Sequence, residues 1–172
     1  MNVFFDLDGV ILDSEKTIIR SYELAGVQAP PNILACEGVP WLKTGNIEHI
    51  KRLKDRFYVA SIRQRRVPFL SGLEVAQYLA KYTPHRVHLL TGAPCAAIDA
   101  LREQVVPWPF VLAAGKLTQL EKLQAIMCFE GSCVYIDDQP VKTKHLLGRH
   151  DKIRIIRYQG QSALREEICS YA

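Results

Sequence analysis

The order of apolar and amphipathic segments predicts an α/β fold built on a parallel sheet. Short apolar runs occupy residues 3–5, 86–90, 110–113, 133–136 and 153–156. They are nearly continuous rather than alternating, which is typical of parallel strands covered on both faces. Helical patterns lie between the later runs. This alternation favours a doubly wound sheet, whose ligands bind at the carboxyl ends of its strands.

Local signals mark where the helices between these strands begin. Capping boxes, in which Ser or Thr precedes Glu by three positions, start at Ser71 and Thr118. Pro94 suits the first turn of a helix, because the N–H that proline lacks would have no partner there. Pro140 and Gly148 can open and close a short helix after the fourth apolar run.

Residues 14–67 interrupt the alternation, because no strand pattern is evident there. Residues 14–25 and 46–62 have helical periodicity, and the Pro30-Pro31 pair separates them. We therefore predict an α/β core of residues 1–13 and 68–172, with a helical cap of residues 14–67 inserted after the first strand. An insert at this point is well placed to cover the end of that strand.

Composition restricts the class of protein. The chain has 172 residues, of which 48% are hydrophobic, so one domain with a real core is expected and general disorder is excluded. No run approaches the roughly 20 apolar residues of a membrane span, and no signal segment is evident, so we expect a cytoplasmic protein without membrane contact. The five cysteines form no CxxC pair, which fits thiols in a reducing compartment.

Two carboxylates, Asp6 and Asp8, follow the first apolar run, and Gly9 comes next. In a strand, positions i and i+2 face the same side, so the two side chains would start out in the same direction unless the strand ends between them. Two carboxylates this close repel each other and need a compensating cation. A divalent metal resolves that conflict and suits phosphate chemistry, because it also neutralises phosphoryl oxygens.

Three other strand ends carry residues suited to phosphate. Thr91-Gly92 follows the second run and offers a hydroxyl and a backbone N–H, while Lys116 follows the third run as a point charge. Asp137-Asp138 follows the fourth run and adds oxygen ligands for a magnesium-like ion. Each signal alone is also typical of an ordinary turn or a solvated side chain. Their joint occurrence at the same edge of the sheet favours a site.

This set of motifs resembles the haloacid dehalogenase-like (HAD) phosphohydrolase superfamily. Residues 5–14 are similar to its first motif, in the version of phosphoglycolate phosphatase- and β-phosphoglucomutase-like members. Residues 90–92 resemble the second motif, Lys116 the third and residues 136–138 the fourth. The resemblance implies a HAD-type, Rossmann-like, five-stranded parallel core with a small helical cap after the first strand.

The resemblance also implies roles for individual residues. Asp6 would be the nucleophile that forms an aspartyl-phosphate, and Asp8 the general acid and base. Thr91 and Lys116 would stabilise the transferring phosphoryl group, to which Gly9 and Gly92 would also bind. The implied Mg²⁺ ligands are Asp6, Asp8, Asp137 and Asp138.

The third motif leaves one choice open. Many relatives have a Lys-Pro pair there, whereas Lys116 is followed by Leu117. Lys122 competes for the same role. We expect Lys116 to hold it, because Lys116 precedes the capped helix and so lies nearer the end of the strand.

These observations predict a Mg²⁺-dependent phosphatase that acts on a small phosphomonoester, a nucleotide or a sugar phosphate. Aspartate at position 8 favours phosphoryl transfer with turnover, and a phosphomutase or a non-catalytic binding module remain as alternatives. The basic residues of segment 43–66 suggest a further alternative, a phosphatase whose cap holds a nucleotide or a nucleic-acid end. The same residues are also typical of the solvated face of an amphipathic helix. The eight basic residues of that region are Lys43, Lys51, Arg52, Lys54, Arg56, Arg63, Arg65 and Arg66.

Overall fold

The computed structural model of the protein describes residues 1–36, 41–42, 46–139, 152–160, 164 and 167–168. The predicted helix between Pro140 and Gly148, and also Lys43 and Cys169, lie outside the described residues. Five strands form one parallel sheet: β1 (Asn2–Phe5), β2 (Arg86–Leu90), β3 (Leu112–Ala114), β4 (Cys133–Asp137) and β5 (Ile153–Arg157).

The strand order is β3-β2-β1-β4-β5, so β1 is the central strand. Phe5 pairs with Leu89 of β2 and with Ile136 of β4, and each pairing is parallel. The α/β class and the parallel sheet predicted from the apolar runs are therefore confirmed. β3 begins two residues later than predicted, and Phe110, just before it, is buried with its ring edge-on to that of Phe5.

The described helices are α1 (Glu15–Leu24), α2 (Ile47–Arg63), α3 (Gly72–Tyr82), α4 (Cys95–Arg102) and α5 (Gln119–Met127), with a single 3-10 turn at Ile33–Ala35. The capping box predicted at Thr118 is present at the start of α5. The one predicted at Ser71 is absent, because the Ser71 backbone is itself helical (φ −65°, ψ −8°) rather than extended as in a capping residue. The Ser71 hydroxyl is hydrogen bonded to the Tyr158 hydroxyl at 2.7 Å. None of the helices within the described segments is long and apolar enough to cross a membrane.

The segment between β1 and α3 is helical, as its periodicity predicts. Its two ends are hydrogen bonded to each other, since the Asp13 N–H donates to the Pro68 carbonyl at 2.9 Å. Tyr58, Val59 and Ile62 on α2 are buried in the same hydrophobic cluster as the residues of β1. This packing brings α2 over the carboxyl end of the central strand.

Candidate active site

The loop after β1 begins at Asp6. The strand ends at Phe5, and the Asp6 N–H donates to the Ile136 carbonyl at 3.0 Å. The next N–H, that of Leu7, donates to Asp6 Oδ1 at 2.8 Å. The chain then turns, with the Leu12 N–H bonded to the Leu7 carbonyl. The strand therefore ends before both carboxylates rather than reaching Asp6 or Asp8, and their positions are set by the loop instead of by one strand face.

Asp6 forms a buried ion pair with Lys122. Lys122 Nζ lies 2.8 Å from Asp6 Oδ2, and the two residues are 4% and 9% exposed. Burial raises the pKa of Asp6 to about 6; Lys122 opposes this rise and the neighbouring Asp137 adds to it. Lys122 Nζ also donates to the Tyr135 hydroxyl at 3.3 Å. The capping box at Thr118 starts α5 at the position from which Lys122 faces the sheet edge.

Lys116 is exposed and lies elsewhere. Its backbone has a positive φ of 58°, its N–H donates to the Ala93 carbonyl at 2.7 Å, and it lines a cavity between α2 and the start of α4. The lysine that meets Asp6 is therefore Lys122, and the preference for Lys116 is corrected. Nearness to a strand end along the sequence was misleading, because α5 folds back over the sheet edge and brings its first turn to Asp6.

The carboxylates of Asp6, Asp137 and Asp138 form one cluster. Within the described residues, their ligand oxygens all lie within 4.8 Å of one another. Asp137 ends β4 and is 2% exposed; its Oδ2 accepts from Gln119 Nε2 at 2.8 Å and its Oδ1 from the Gln139 N–H at 2.9 Å. Burial, and then the adjacent Asp137, raise the pKa of Asp138 to about 7.

This cluster fits a hard divalent cation. Three carboxylates gathered at one strand edge repel each other, and Lys122 supplies only one positive charge against them. Carboxylate oxygens are the ligands that Mg²⁺ accepts. Gln119, which the sequence analysis did not identify, holds Asp137 from the first position of α5. The only sequence signal for Gln119 is its place immediately after the capping Thr118.

Gly9 makes room for Asp138. Its φ is +76°, a conformation that L side chains rarely adopt. A Cβ built on Gly9 would lie 2.7 Å from both Cγ and Oδ2 of Asp138, closer than real contacts allow. The glycine after Asp8 therefore lets the Asp138 carboxylate, just beyond the end of β4, approach the loop after β1.

The carboxylate of Asp8 is held by the cap rather than by the cluster. Its Oδ1 accepts from the Ser14 hydroxyl at 2.6 Å and from the Tyr58 hydroxyl at 2.5 Å. Tyr58 lies on α2 and is 1% exposed. Burial and the Asp8 charge raise the pKa of the Tyr58 hydroxyl well above its ordinary value. Sequence reasoning did not find this contact, because a tyrosine at this helical spacing is also typical of an apolar cap core.

The loop after β2 carries the predicted phosphate-binding pair. Thr91 is buried, and its hydroxyl oxygen accepts from the Ala93 N–H at 3.0 Å, so the hydroxyl hydrogen can be donated elsewhere. The Leu117 N–H donates to the Thr91 carbonyl at 3.1 Å, which joins this loop to the one after β3. Gly92 is exposed directly after Thr91.

The architecture of this protein is similar to that of several solved structures. No family model matches the chain, and no curated protein matches its sequence. CbbY from Rhodobacter sphaeroides, solved with phosphate, superposes with a TM-score of 0.70 at 15% identity over 91% of this chain and 86% of that one. A HAD-superfamily hydrolase of subfamily IA from Geobacter sulfurreducens gives 0.60 at 16% identity, over 99% of this chain and 96% of that one.

An archaeal beta-phosphoglucomutase from a hyperthermophilic Pyrococcus gives a TM-score of 0.56 at 16% identity, over 96% of this chain and 89% of that one. At identities this low, the superpositions establish the fold alone. The expectation drawn from the strand-end motifs is confirmed at that level. The chain has the fold of the haloacid dehalogenase-like hydrolases.

Proposed function

We propose that this protein is a Mg²⁺-dependent phosphatase that hydrolyses a small phosphomonoester through an aspartyl-phosphate on Asp6. The observation that supports this most is the ion pair of Asp6 with Lys122 at 2.8 Å beside two further carboxylates at the same sheet edge. A carboxylate nucleophile needs a cation to receive the phosphoryl charge, and this edge offers both a lysine and a metal-binding cluster. Solved structures of the same fold include a HAD-superfamily hydrolase and a beta-phosphoglucomutase.

Asp6 would begin the reaction as nucleophile. One of its oxygens bonds to phosphorus while the ester oxygen departs, so that the phosphoryl group is transferred to Asp6. The Lys122 ammonium is placed to stabilise the negative charge on the transferring oxygens. Thr91 donates its hydroxyl hydrogen to the same oxygens, and the Gly92 N–H is a further candidate donor. The Gly9 N–H, also expected to bind phosphate, already donates to the Leu12 carbonyl at 2.9 Å.

Asp6, Asp137 and Asp138 would hold Mg²⁺, which supplies charge neutralisation of the phosphoryl group when bound. Gln119 and the Gln139 N–H orient the Asp137 carboxylate for this role. The Asp8 side chain lies apart from this cluster and bonds to Ser14 and Tyr58. Any contribution of Asp8 to the metal would therefore come from its backbone carbonyl.

Asp8 would transfer the protons. It gives one to the departing ester oxygen, and in the second step it takes one from the water that attacks the phosphorus of the aspartyl-phosphate. Both hydrogen bonds to Asp8 end on Oδ1, which leaves Oδ2 for this exchange. Since Tyr58 belongs to the cap, the position of the cap controls the orientation of the proton donor.

A phosphomutase would use the same residues, and the resemblance to the archaeal beta-phosphoglucomutase keeps it as the second candidate. The phosphatase and the mutase differ in the acceptor, since a mutase returns the phosphoryl group to a sugar hydroxyl and releases little free phosphate.

A non-catalytic module is less well supported, because a buried ion pair beside two more carboxylates costs folding free energy and would have no functional reason to be kept.

Release of phosphate from p-nitrophenyl phosphate and from a panel of phosphorylated metabolites, with and without Mg²⁺, tests the proposal. We expect Asp6→Asn and a chelator each to abolish release, whereas Asp99→Asn on the exposed face of α4 leaves it unchanged. Phosphate release by Asp6→Asn at the wild-type rate would contradict the mechanism. Conversion of a hexose phosphate into its positional isomer without phosphate release would favour the mutase.

A further inference from the structure

We propose that Tyr135 is a positioning residue, which holds the Lys122 ammonium in place while the phosphoryl group moves onto Asp6 and off it again. The inference rests on the proposed function and adds to it a residue outside the four motifs. Tyr135 lies in β4, two residues before Asp137, and is 0% exposed. Its hydroxyl oxygen accepts a hydrogen bond from Lys122 Nζ at 3.3 Å.

Packing fixes the Tyr135 ring. Alternate residues of a strand face the same side, so Tyr135 lies on the face of β4 that Cys133 and Asp137 share. On that face the ring belongs to a hydrophobic cluster whose other buried members are Phe4, Leu90, Leu123, Ile126 and Cys133. A ring enclosed in this way keeps one orientation, because close-packed neighbours leave it no room to turn. Its hydroxyl is therefore held at one place beside the carboxyl end of the strand.

The packing itself does not require the hydroxyl. A phenylalanine would fill the same apolar space, and burying a hydroxyl costs free energy unless it is hydrogen bonded. Within the described residues, its hydrogen-bond partners are the side chains of Lys122 and Gln119. These two lie three residues apart on one face of α5, and they bond to Asp6 and Asp137 respectively. Both partners of the hydroxyl are thus side chains of the candidate site.

The contacts of Lys122 divide the three N–H donors of its ammonium. One is donated to Asp6 Oδ2 at 2.8 Å and a second to the Tyr135 hydroxyl at 3.3 Å. The contacts of the described residues leave the third donor for an oxygen of the transferring phosphoryl group. Because the donors of an ammonium have a fixed tetrahedral arrangement, two fixed partners determine where the third N–H points.

The two partners of Lys122 differ in what the reaction does to them. When Asp6 attacks phosphorus, one of its oxygens becomes the bridging oxygen of an acyl phosphate, and the carboxylate loses its negative charge. The Tyr135 hydroxyl forms no covalent bond in either step. Lysine is a point charge on a flexible four-carbon stem, so an ammonium held by Asp6 alone would be free to move when that charge is lost. Tyr135 is the partner that keeps it in place through both steps.

The variant Tyr135→Phe isolates the hydroxyl, because it keeps the ring, whose centroid lies 6.0 Å from Lys122 Nζ. Tyr158→Phe is the matched control, since it removes the hydroxyl of a half-buried tyrosine that is hydrogen bonded to Ser71 at 2.7 Å. Hydrolysis of p-nitrophenyl phosphate at saturating Mg²⁺ gives kcat and KM for each variant. Thermal unfolding checks that each variant is folded.

We expect Tyr135→Phe to lower kcat about tenfold, the effect of losing one hydrogen bond to a charged group, with KM within about twofold of wild type. Tyr158→Phe should keep the wild-type kcat. Because the hydroxyl acts through Lys122, adding Tyr135→Phe to Lys122→Met should lower kcat by less than about twofold more. A tyrosine that served the packing alone would lower kcat by the same factor with and without Lys122.

Nuclear magnetic resonance of the lysine ammonium groups gives a readout that does not depend on catalysis. In the isotope-labelled, metal-free protein, the signal of Lys122 is identified by its absence in Lys122→Met. We expect the ammonium hydrogens of Lys122 to exchange with water several-fold faster in Tyr135→Phe, since one of their two hydrogen bonds is lost. The exchange in Tyr158→Phe should have the wild-type rate.

Four results would overturn the assignment: an unchanged kcat in Tyr135→Phe, an equal loss in Tyr158→Phe, a full further loss in the Lys122→Met background, or unchanged exchange at Lys122. A rise in the Mg²⁺ concentration needed for half-maximal rate, with kcat unchanged, would also overturn it, because the hydroxyl would then act through Gln119 and Asp137. An active wild type that is unaffected by Tyr135→Phe leaves the proposed function standing. A wild type that releases no phosphate from p-nitrophenyl phosphate removes the proposed function and this role with it.

Discussion

Replacing Lys122 by methionine separates the two lysines that the sequence leaves in competition. Methionine keeps the apolar stem and removes the ammonium that lies 2.8 Å from Asp6 Oδ2. The pair is almost fully enclosed, with Lys122 and Asp6 only 4% and 9% exposed. The Asp6 carboxylate would therefore be left in the interior without its partner.

The magnitude follows from that burial. Removing one partner of a buried ion pair costs about 3–5 kcal/mol of unfolding free energy, and Asp6 can reduce this by taking up a proton. We expect Lys122→Met to lower the unfolding free energy of the metal-free protein by about 3 kcal/mol at neutral pH. Loss of one preorganised charge at the transferring oxygens should lower kcat about 100- to 1,000-fold.

Lys116→Met is the matched control, because Lys116 is an exposed side chain beside the cavity. We expect its unfolding free energy to stay within about 0.5 kcal/mol of wild type. Its kcat on p-nitrophenyl phosphate should also be close to that of wild type. Urea denaturation followed by circular dichroism and Mg²⁺-dependent phosphate release measure the two effects. The reasoning is refuted if Lys116→Met loses the activity and Lys122→Met retains both activity and stability.

Two further substitutions test contacts of the fold. Tyr58→Phe removes the 2.5 Å hydrogen bond to Asp8 and should lower kcat/KM about tenfold for an alkyl phosphate but less for p-nitrophenyl phosphate, whose leaving group needs little protonation. Equal losses on both substrates, or the same loss in the exposed-site control Tyr82→Phe, would argue against a role through Asp8. Burial, assisted by the charge of Arg86, lowers the pKa of His88 to about 4, so folding keeps this ring neutral while the unfolded chain protonates it near 6.5. The contribution of His88 to stability should therefore be full above pH 6.5 and fall by up to about 3 kcal/mol as the pH drops toward 4. The raised pKa values of Asp6 and Asp138 act in the opposite direction, so the measurement that checks this is the difference in unfolding free energy between wild type and His88→Leu, from urea denaturation. That difference should decrease from pH 7 to pH 4, and an unchanged difference would contradict the assignment.

The sheet was predictable because its signals are local. Each strand is a short apolar run, and a nearly continuous run of apolar residues is by itself the signal of a parallel strand that is covered on both faces. The Thr118 capping box depends on two residues of one turn, and it was found as predicted. The Ser71 box has the same pattern but does not form, because the Ser71 backbone is helical, and its hydroxyl is hydrogen bonded to Tyr158 from a distant part of the chain.

The candidate site was predictable only in part. Parallel strands end at the same edge, so the motifs after β1 and β4 were expected to meet, and Asp6 and Asp137 do belong to one cluster. The separation of Asp8 from that cluster could not be anticipated, since it depends on Tyr58, fifty residues further along the chain. The steric fit of Gly9 against Asp138 likewise joins two distant loops.

By itself the sequence determined the fold class, the order of strands and helices, and the carboxylates, threonine and lysines that follow the strands. It could do so because apolar runs, caps and turn residues act on their immediate neighbours. Only the tertiary structure decided that Lys122 rather than Lys116 meets Asp6, and that α2 brings Tyr58 to Asp8 and arginines to a cavity. Those contacts depend on how α5 and α2 pack against the sheet edge, and packing between distant segments is not encoded in any local pattern.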